Sequence, residues 1–205
     1  MKTLICLVAL ATALTARAQN TEAFQNFDTG LFPIQGFSLG TMGWSFQPLT
    51  DVSVTALGCF DYVVTGQGPM AVGLWAADGT LLASNTITAG SILVNQTRYE
   101  PISAIQLSLD QTYYVGAYLL SGAYMTCYAA VPDTGDGTAT MAPEILLGTA
   151  VESSAAGFNF PDSIVGPSNT ALVAPNIEFQ PVPEPATFWL VGDGSLALLA
   201  ARRRC

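Results

Sequence analysis

The chain has 205 residues, of which half are hydrophobic, one tenth are charged and none is histidine. Its 6 basic residues stand against 15 acidic residues, a formal net charge of −9. Between Gln19 and Val182, Arg98 is the one cation against 13 acids, so this body carries 1 − 13 = −12. So few cations disfavour binding to nucleic acid phosphates or to anionic lipid headgroups. The lack of histidine excludes Ser-His-Asp and Cys-His catalysis and the common histidine-containing zinc sites.

The N-terminal end predicts a secretory signal peptide over residues 1–18. Lys2 supplies the positive start, residues 4–14 form an apolar run, and Ala16-Arg17-Ala18 has the small-x-small pattern of a cleavage site. The alternative is a short helix of the folded domain, but the abrupt change to polar residues at Gln19 argues against it. We expect cleavage after Ala18.

The body reads as strands and turns. Several runs are rich in β-branched and aromatic residues, which favour strands: 52–57, 70–75, 81–87 and 112–118. Turn formers lie between these runs: residues 65–69, Asp78-Gly79, Asn95-Gln96, Leu109-Asp110 and Ser121-Gly122. No window shows a capped apolar stripe of helical period. Asp78-Gly79 predicts a hairpin with a two-residue turn at positive φ.

Strands at intervals of about ten residues predict an all-β fold, an antiparallel β-sandwich of jelly-roll-like type. We expect this domain to span residues 19–179, with further strands near 142–151 and 171–179. The stretches 131–139 and 158–168 read as long loops, where such scaffolds carry binding residues. A linker at 180–187 then leads to a hydrophobic segment at 188–205.

Two of the four cysteines, Cys59 and Cys127, lie in the body. In an exported protein such a pair is expected to form a disulfide, because the compartments outside the cytoplasm oxidise thiols. In the chain-entropy model the bridge contributes on the order of 4 kcal/mol. Neither cysteine has a histidine to activate it as a nucleophile.

The triplet Asp-Thr-Gly occurs twice, at Asp28 and at Asp133. Aspartic proteases use this triplet to bring two carboxylates together around a shared proton. Asp-Thr-Gly is also an ordinary turn sequence, and we interpret both copies as turns. The sequence therefore predicts no catalytic residues.

Two ligand chemistries remain open. Asp133 and Asp136 are spaced like part of a calcium loop, but the further acids of such a loop are missing, so calcium is a weak candidate and no cofactor is required. Aromatic rings can stack on sugars, and the candidate platforms are Trp44, Tyr99 and Tyr124. Trp75, within the predicted hairpin, is expected to be buried.

The C-terminal end reads as a transient membrane anchor. An apolar run from Thr187 to Ala201 precedes Arg202-Arg203-Arg204, a basic cluster that resists translocation. The run falls short of the ~20 residues that a spanning helix needs. Asp193 adds a cost of about 2.5 to 3.5 kcal/mol near the bilayer centre. A terminal amphipathic helix after a Pro-rich linker is the alternative.

This end resembles the PEP-CTERM sorting signal of Gram-negative bacteria that make extracellular polysaccharide. Pro183, Glu184 and Pro185 match the recognition motif, and Arg202, Arg203 and Arg204 match the basic stop. The resemblance implies transient insertion in the inner membrane and processing by exosortase, a cysteine-dependent transpeptidase. Asp193, Ser195 and Cys205 depart from the usual pattern.

A weaker resemblance covers residues 43–128. The Gly-Leu-Trp run ending at Trp75, the turn at Asp78-Gly79, the Leu-Leu-Ala run from Leu81 and the later Thr-Tyr-Tyr-Val from Thr112 are similar to an uncharacterised β-sandwich module of bacterial surface proteins. This resemblance implies a structural or ligand-binding role without established chemistry.

Taken together, these features predict an exported, non-enzymatic component of the cell surface or the exopolysaccharide matrix. The expected role is structural or adhesive, with extracellular polysaccharide or other matrix proteins as candidate partners. The alternative is a hydrolase of the matrix polysaccharide that uses loop carboxylates.

Overall fold

The computed structural model of the chain describes residues 20–26, 33–34, 40–119, 125–126, 139–168 and 175–182. Fifteen strands and one helix, α1, lie in this part. The strands, numbered β1 to β15 in chain order, are Thr21–Glu22, Phe24–Gln25, Pro33–Ile34, Thr41–Pro48, Val52–Phe60, Met70–Ala76, Leu81–Ile87, Ile92–Val94, Thr97–Leu107, Tyr113–Leu119, Met125–Thr126, Thr140–Met141, Ile145–Glu152, Ser163–Ser168 and Pro175–Pro181. Helix α1 is Asp61–Gln67.

Most of the strands form two antiparallel sheets. Sheet A has five strands in the order β1-β15-β5-β9-β8, and sheet B has six in the order β14-β13-β4-β10-β6-β7. Two small pairs, β11-β3 and β12-β2, complete the described strands. The all-β antiparallel prediction is confirmed.

The core lies between the two sheets. Val54, Leu57 and Cys59 of β5 in sheet A belong to the same buried cluster as Trp44 and Phe46 of β4 in sheet B. Alternation along each strand explains this, because successive side chains point to opposite faces and one face of each sheet is apolar. The two sheets therefore pack as a sandwich.

Trp44 spans the sandwich. Its ring packs edge-on against Phe24 at a centroid distance of 4.8 Å. The same ring packs in a tilted orientation against Phe46 at 5.1 Å. Its indole N–H donates a hydrogen bond of 3.0 Å to the carbonyl of Pro175 in sheet A. An indole N–H buried in a core needs such a partner, so one side chain fills the core and also joins the two sheets.

A loop covers the outer face of sheet B. Phe158 packs against Trp75 at a ring centroid distance of 5.2 Å, and Phe160 packs against Tyr114 at 5.0 Å. A β-carbon at Gly73 would lie 2.7 Å from Phe158, so the absence of a side chain there leaves room for the aromatic rings. Trp75 is 3% exposed beneath this loop, which confirms that it is buried.

The strands predicted at 52–57, 70–75, 81–87 and 112–118 are confirmed as β5, β6, β7 and β10. Asn95 and Asp110 have positive φ in the turns that precede β9 and β10. The last strand, β15, extends to Pro181, two residues beyond the expected domain boundary at 179.

Three local predictions are corrected. The Asp78-Gly79 hairpin has a three-residue turn, because the N–H of Ala76 donates to the carbonyl of Thr80, and of these two residues only Gly79 has positive φ. The segment 158–168, which the sequence predicts to be a loop, ends in the strand β14, and this strand pairs with β13 at the edge of sheet B. The segment expected as a turn at 65–69 is instead the end of α1, which stops at Gly68 with φ +97°.

Candidate functional site

A pocket of about 170 Å³ opens on the outer face of sheet A. Strands β5, β8, β9 and β15 supply most of its walls, because their residues that alternate with the core side chains point to this face. The lining residues are Asn20, Thr55, Ala56, Ile92, Val94, Tyr99, Pro101 and Glu178. The pocket thus combines an apolar wall with amide, hydroxyl and carboxyl groups.

Tyr99 forms the base of the pocket wall. Its ring packs on Gly58 of the neighbouring strand, where a side chain would collide with it, and the residue is only 2% exposed. The hydroxyl donates a hydrogen bond of 3.0 Å to Oε2 of Glu22. Burial, followed by the charge of Glu22, raises the pKa of Tyr99, so the phenol stays a proton donor. Tyr99 is therefore too enclosed to stack on a ligand ring.

Glu22 and Glu178 lie directly opposite each other on the paired strands β1 and β15. Asn95 and Tyr99 donate hydrogen bonds to the two carboxylate oxygens of Glu22. Asn20 donates to Glu178 over 3.1 Å. Paired carboxylates at this position repel each other.

The pKa of both glutamates is raised, chiefly because burial disfavours the charged form. For Glu178 the neighbouring charge of Glu22 raises the pKa further. Arg98 is the one cation between Gln19 and Val182. Its guanidinium pairs with Asp61 and donates to the carbonyls of Ala89 and Ser91, so its hydrogen bonds are directed to these groups and not to the two glutamates.

This arrangement predicts a pH dependence of stability. Because the folded-state pKa of Glu178 lies above its ordinary value of 4.5, the contribution of Glu178 to the free energy of unfolding is highest below that value and falls as the pH rises through the folded-state pKa. Glu178→Gln keeps an acceptor for Asn20 and removes the repulsion from Glu22. We expect its melting temperature to exceed that of the wild type by a few degrees at pH 7 and to match it at pH 4. Thermal scans across this range measure the difference, and a lower melting temperature of the variant at pH 7 would contradict the assignment.

Trp44 is a core residue, which corrects the expectation that it offers a ligand platform. It is 0% exposed, and its one polar group is bonded to Pro175. Tyr124, the third expected platform, lies outside the described residues. Asp28, Asp133 and Asp136 also lie outside them, so the turn interpretation and the calcium candidates stay predictions. Among the described residues no group of three or more metal-ligating side chains occurs.

Cys59 is a buried thiol on β5, and burial raises its pKa. A thiol held protonated in an apolar core is a poor nucleophile. Cys127 lies outside the described residues, so the pairing of Cys59 with Cys127 stays a prediction.

Free-thiol labelling tests this pairing. Denatured, unreduced protein recovered outside the cell should show no label at Cys59 or Cys127. Serine at both positions should lower the stability by about 4 kcal/mol in the chain-entropy model. Labelling of both thiols in properly exported protein would contradict the bridge.

No local sequence pattern points to Glu22 and Glu178, which are 156 residues apart and meet only through the pairing of β1 with β15. The sorting residues Pro183, Glu184, Pro185 and Arg202 to Arg204 lie outside the described residues. The part of the chain that the structure describes contains no helix with the length and hydropathy needed to span a bilayer.

Comparison with known proteins agrees with this organisation. Residues 34–169 match the family described as "Domain of unknown function (DUF4082)", and residues 181–204 match the PEP-CTERM protein-sorting motif. No curated protein matches the chain. The sorting motif implies an exported protein, directed to the cell surface and processed by exosortase. The chain therefore belongs to the DUF4082 family, and it carries a PEP-CTERM sorting motif after its last described strand.

Proposed function

We propose that the sandwich is a non-catalytic component of the cell surface or extracellular polysaccharide matrix of a Gram-negative bacterium, and that it adheres by binding glycan. The observation that carries this proposal is the pocket on the outer face of sheet A. The sorting motif supports display outside the cell, and the pocket supplies a place where the displayed body can hold a ligand.

The chemistry of the pocket suits a sugar. A pyranose ring offers an apolar C–H face and a rim of hydroxyl groups. Ile92, which is 62% exposed, lies with Val94 and Pro101 on the apolar side. Thr55 and Glu178 supply polar groups to bond hydroxyls. The pocket is small, with a volume of about 170 Å³, so we expect one sugar residue of a longer chain to enter.

A polysaccharide hydrolase is the second candidate, because Glu178, which lines this pocket, lies opposite Glu22 and the pKa of both carboxyl groups is raised. A glycosidase needs both carboxyl groups to flank the scissile bond. Glu22 is 5% exposed, and both of its oxygens accept hydrogen bonds from protein side chains. This burial favours binding over hydrolysis. Both carboxylates lie on strands, whereas the hydrolase expected from the sequence uses loop carboxylates.

A glycan array with the mature exported protein, with and without calcium, tests the proposal. We expect binding to bacterial exopolysaccharide fragments without release of reducing ends. Ile92→Asp and Thr55→Val should each weaken binding about tenfold, a loss of about 1.4 kcal/mol. Glu152→Gln, an acid-to-amide change on sheet B, is the matched control for Glu178→Gln and should bind like the wild type.

Two results would overturn this assignment. Unchanged affinity in all the pocket variants would place the binding site elsewhere. Release of reducing ends that Glu178→Gln abolishes and Glu152→Gln preserves would identify the hydrolase instead.

A further inference from the structure

The chain leaves the sandwich at one defined end, which we call the exit end. It comprises the turns at 49–51, 77–80 and 108–112, the start of β13, and Val182. Val182 follows β15 directly, and its N–H donates a hydrogen bond of 2.8 Å to the carbonyl of Asp51. The carboxylate of Asp51 accepts a hydrogen bond of 2.8 Å from the N–H of Leu109. The exit point is thus fixed to the two turns that connect the sheets.

Exposed leucines gather at the exit end. Four leucines there are each about half exposed: Leu49 at 48%, Leu81 at 46%, Leu109 at 47% and Leu146 at 47%. Register places Leu81 and Leu146 at this end of sheet B, because Leu81 pairs opposite Trp75 near the end of β6 and Leu146 pairs opposite Gln47 near the end of β4. Leu49 and Leu109 lie in the turns that connect the two sheets at the same end. The other large exposed apolar side chains of the described residues lie on the edge strands β8 and β14.

The tail keeps the exit end close to the membrane. The sorting motif match begins at residue 181, and the apolar segment of the sequence begins at Phe188. Five residues lie between Val182 and Phe188, and a fully extended chain over these six Cα–Cα steps spans only about 20 Å. Once the apolar segment enters the bilayer, the tether therefore holds the exit end within about 20 Å of the bilayer.

We propose that, in the unprocessed precursor, the exit end docks on the lipid bilayer and inserts Leu49, Leu81, Leu109 and Leu146 into its interface. This proposal rests on the sorting motif and is independent of glycan binding. The contact supplements an anchor that is short and contains Asp193. The driving force is burial of apolar surface. Because the body carries −12, we expect zwitterionic lipid to be favoured over anionic lipid.

Vesicle flotation of the full-length chain tests the proposal. The probe is phosphatidylcholine vesicles, and the test variant carries Leu49→Ser, Leu109→Ser and Leu146→Ser. A matched control carries Ile92→Ser, Leu93→Ser and Ile164→Ser, three exposed apolar residues away from the exit end. We expect the vesicle-bound to free ratio to fall at least about tenfold in the test variant and to stay within about twofold in the control.

An added fluorophore gives a second measurement that does not remove the leucines. In full-length chain bound to brominated phosphatidylcholine, Leu109→Trp should add fluorescence that the bromine quenches, whereas the fluorescence added by Ile92→Trp should stay unquenched. Equal flotation losses in the two triple variants, no loss in either, or equal quenching of the two added tryptophans would overturn the proposal.

Discussion

Trp44→Ala lowers the free energy of unfolding by about 3 to 5 kcal/mol, the range for removing a large aromatic ring from a packed core. Trp44 is 0% exposed, contacts the rings of Phe24 and Phe46, and bonds to Pro175 in the opposite sheet. The substitution leaves a cavity between the sheets and a carbonyl without its donor. Urea unfolding of the mature protein measures the loss.

Two further variants separate the contribution of the buried ring from that of its N–H donor. Trp44→Phe keeps a six-membered aromatic ring and removes the N–H donor with part of the indole ring, so we expect a smaller loss of about 1 to 3 kcal/mol. Ile164→Ala, at a side chain that is 72% exposed, should change the stability by no more than about 0.5 kcal/mol. A loss below about 1 kcal/mol for Trp44→Ala would show that the ring does not occupy the core.

The second large effect concerns processing. In a host with exosortase, Pro183→Ala combined with Pro185→Ala, or Glu184→Ala alone, should leave the full-length chain in the inner membrane. The fold should be unaffected, because the last described strand, β15, ends at Pro181, before the Pro-Glu-Pro motif. Fractionation followed by immunoblotting measures retention, and thermal unfolding of the purified variants measures the fold.

Glu178→Gln serves as the control for this experiment. It removes an acid six residues before Glu184 but leaves the motif intact, so its processing should equal that of the wild type. Normal release of the Pro-Glu-Pro variants from the native host would show that the motif is not what the processing enzyme reads.

The elements that the sequence predicts well are those with strong local signals. β5, β6, β7 and β10 are rich in β-branched and aromatic residues and are bounded by turn residues such as Gly79 and Asp110. Helix α1 was missed because seven residues are too few to show a helical period; Val64, 1% exposed, anchors it to the core. β9 was missed because Pro101 interrupts a run with weak alternation.

The roles of the aromatic and acidic side chains could not be predicted from the sequence, for a different reason. An aromatic residue in a sequence can fill a core or face a ligand, and only the position of β4 at the centre of sheet B decides this for Trp44. Glu22 and Glu178 acquire their shared environment from pairing across the whole length of the domain. Such long-range pairings leave no local pattern, whereas the sorting motif is contiguous and is readable directly.

We expect the folded sandwich to be exported and then separated from its sorting tail. Intact-mass spectrometry of the protein recovered outside an exosortase-containing cell measures this separation. We expect one species that begins at or near Gln19 and lacks residues 188–205. Recovery of extracellular protein that retains the whole C-terminal segment would contradict it.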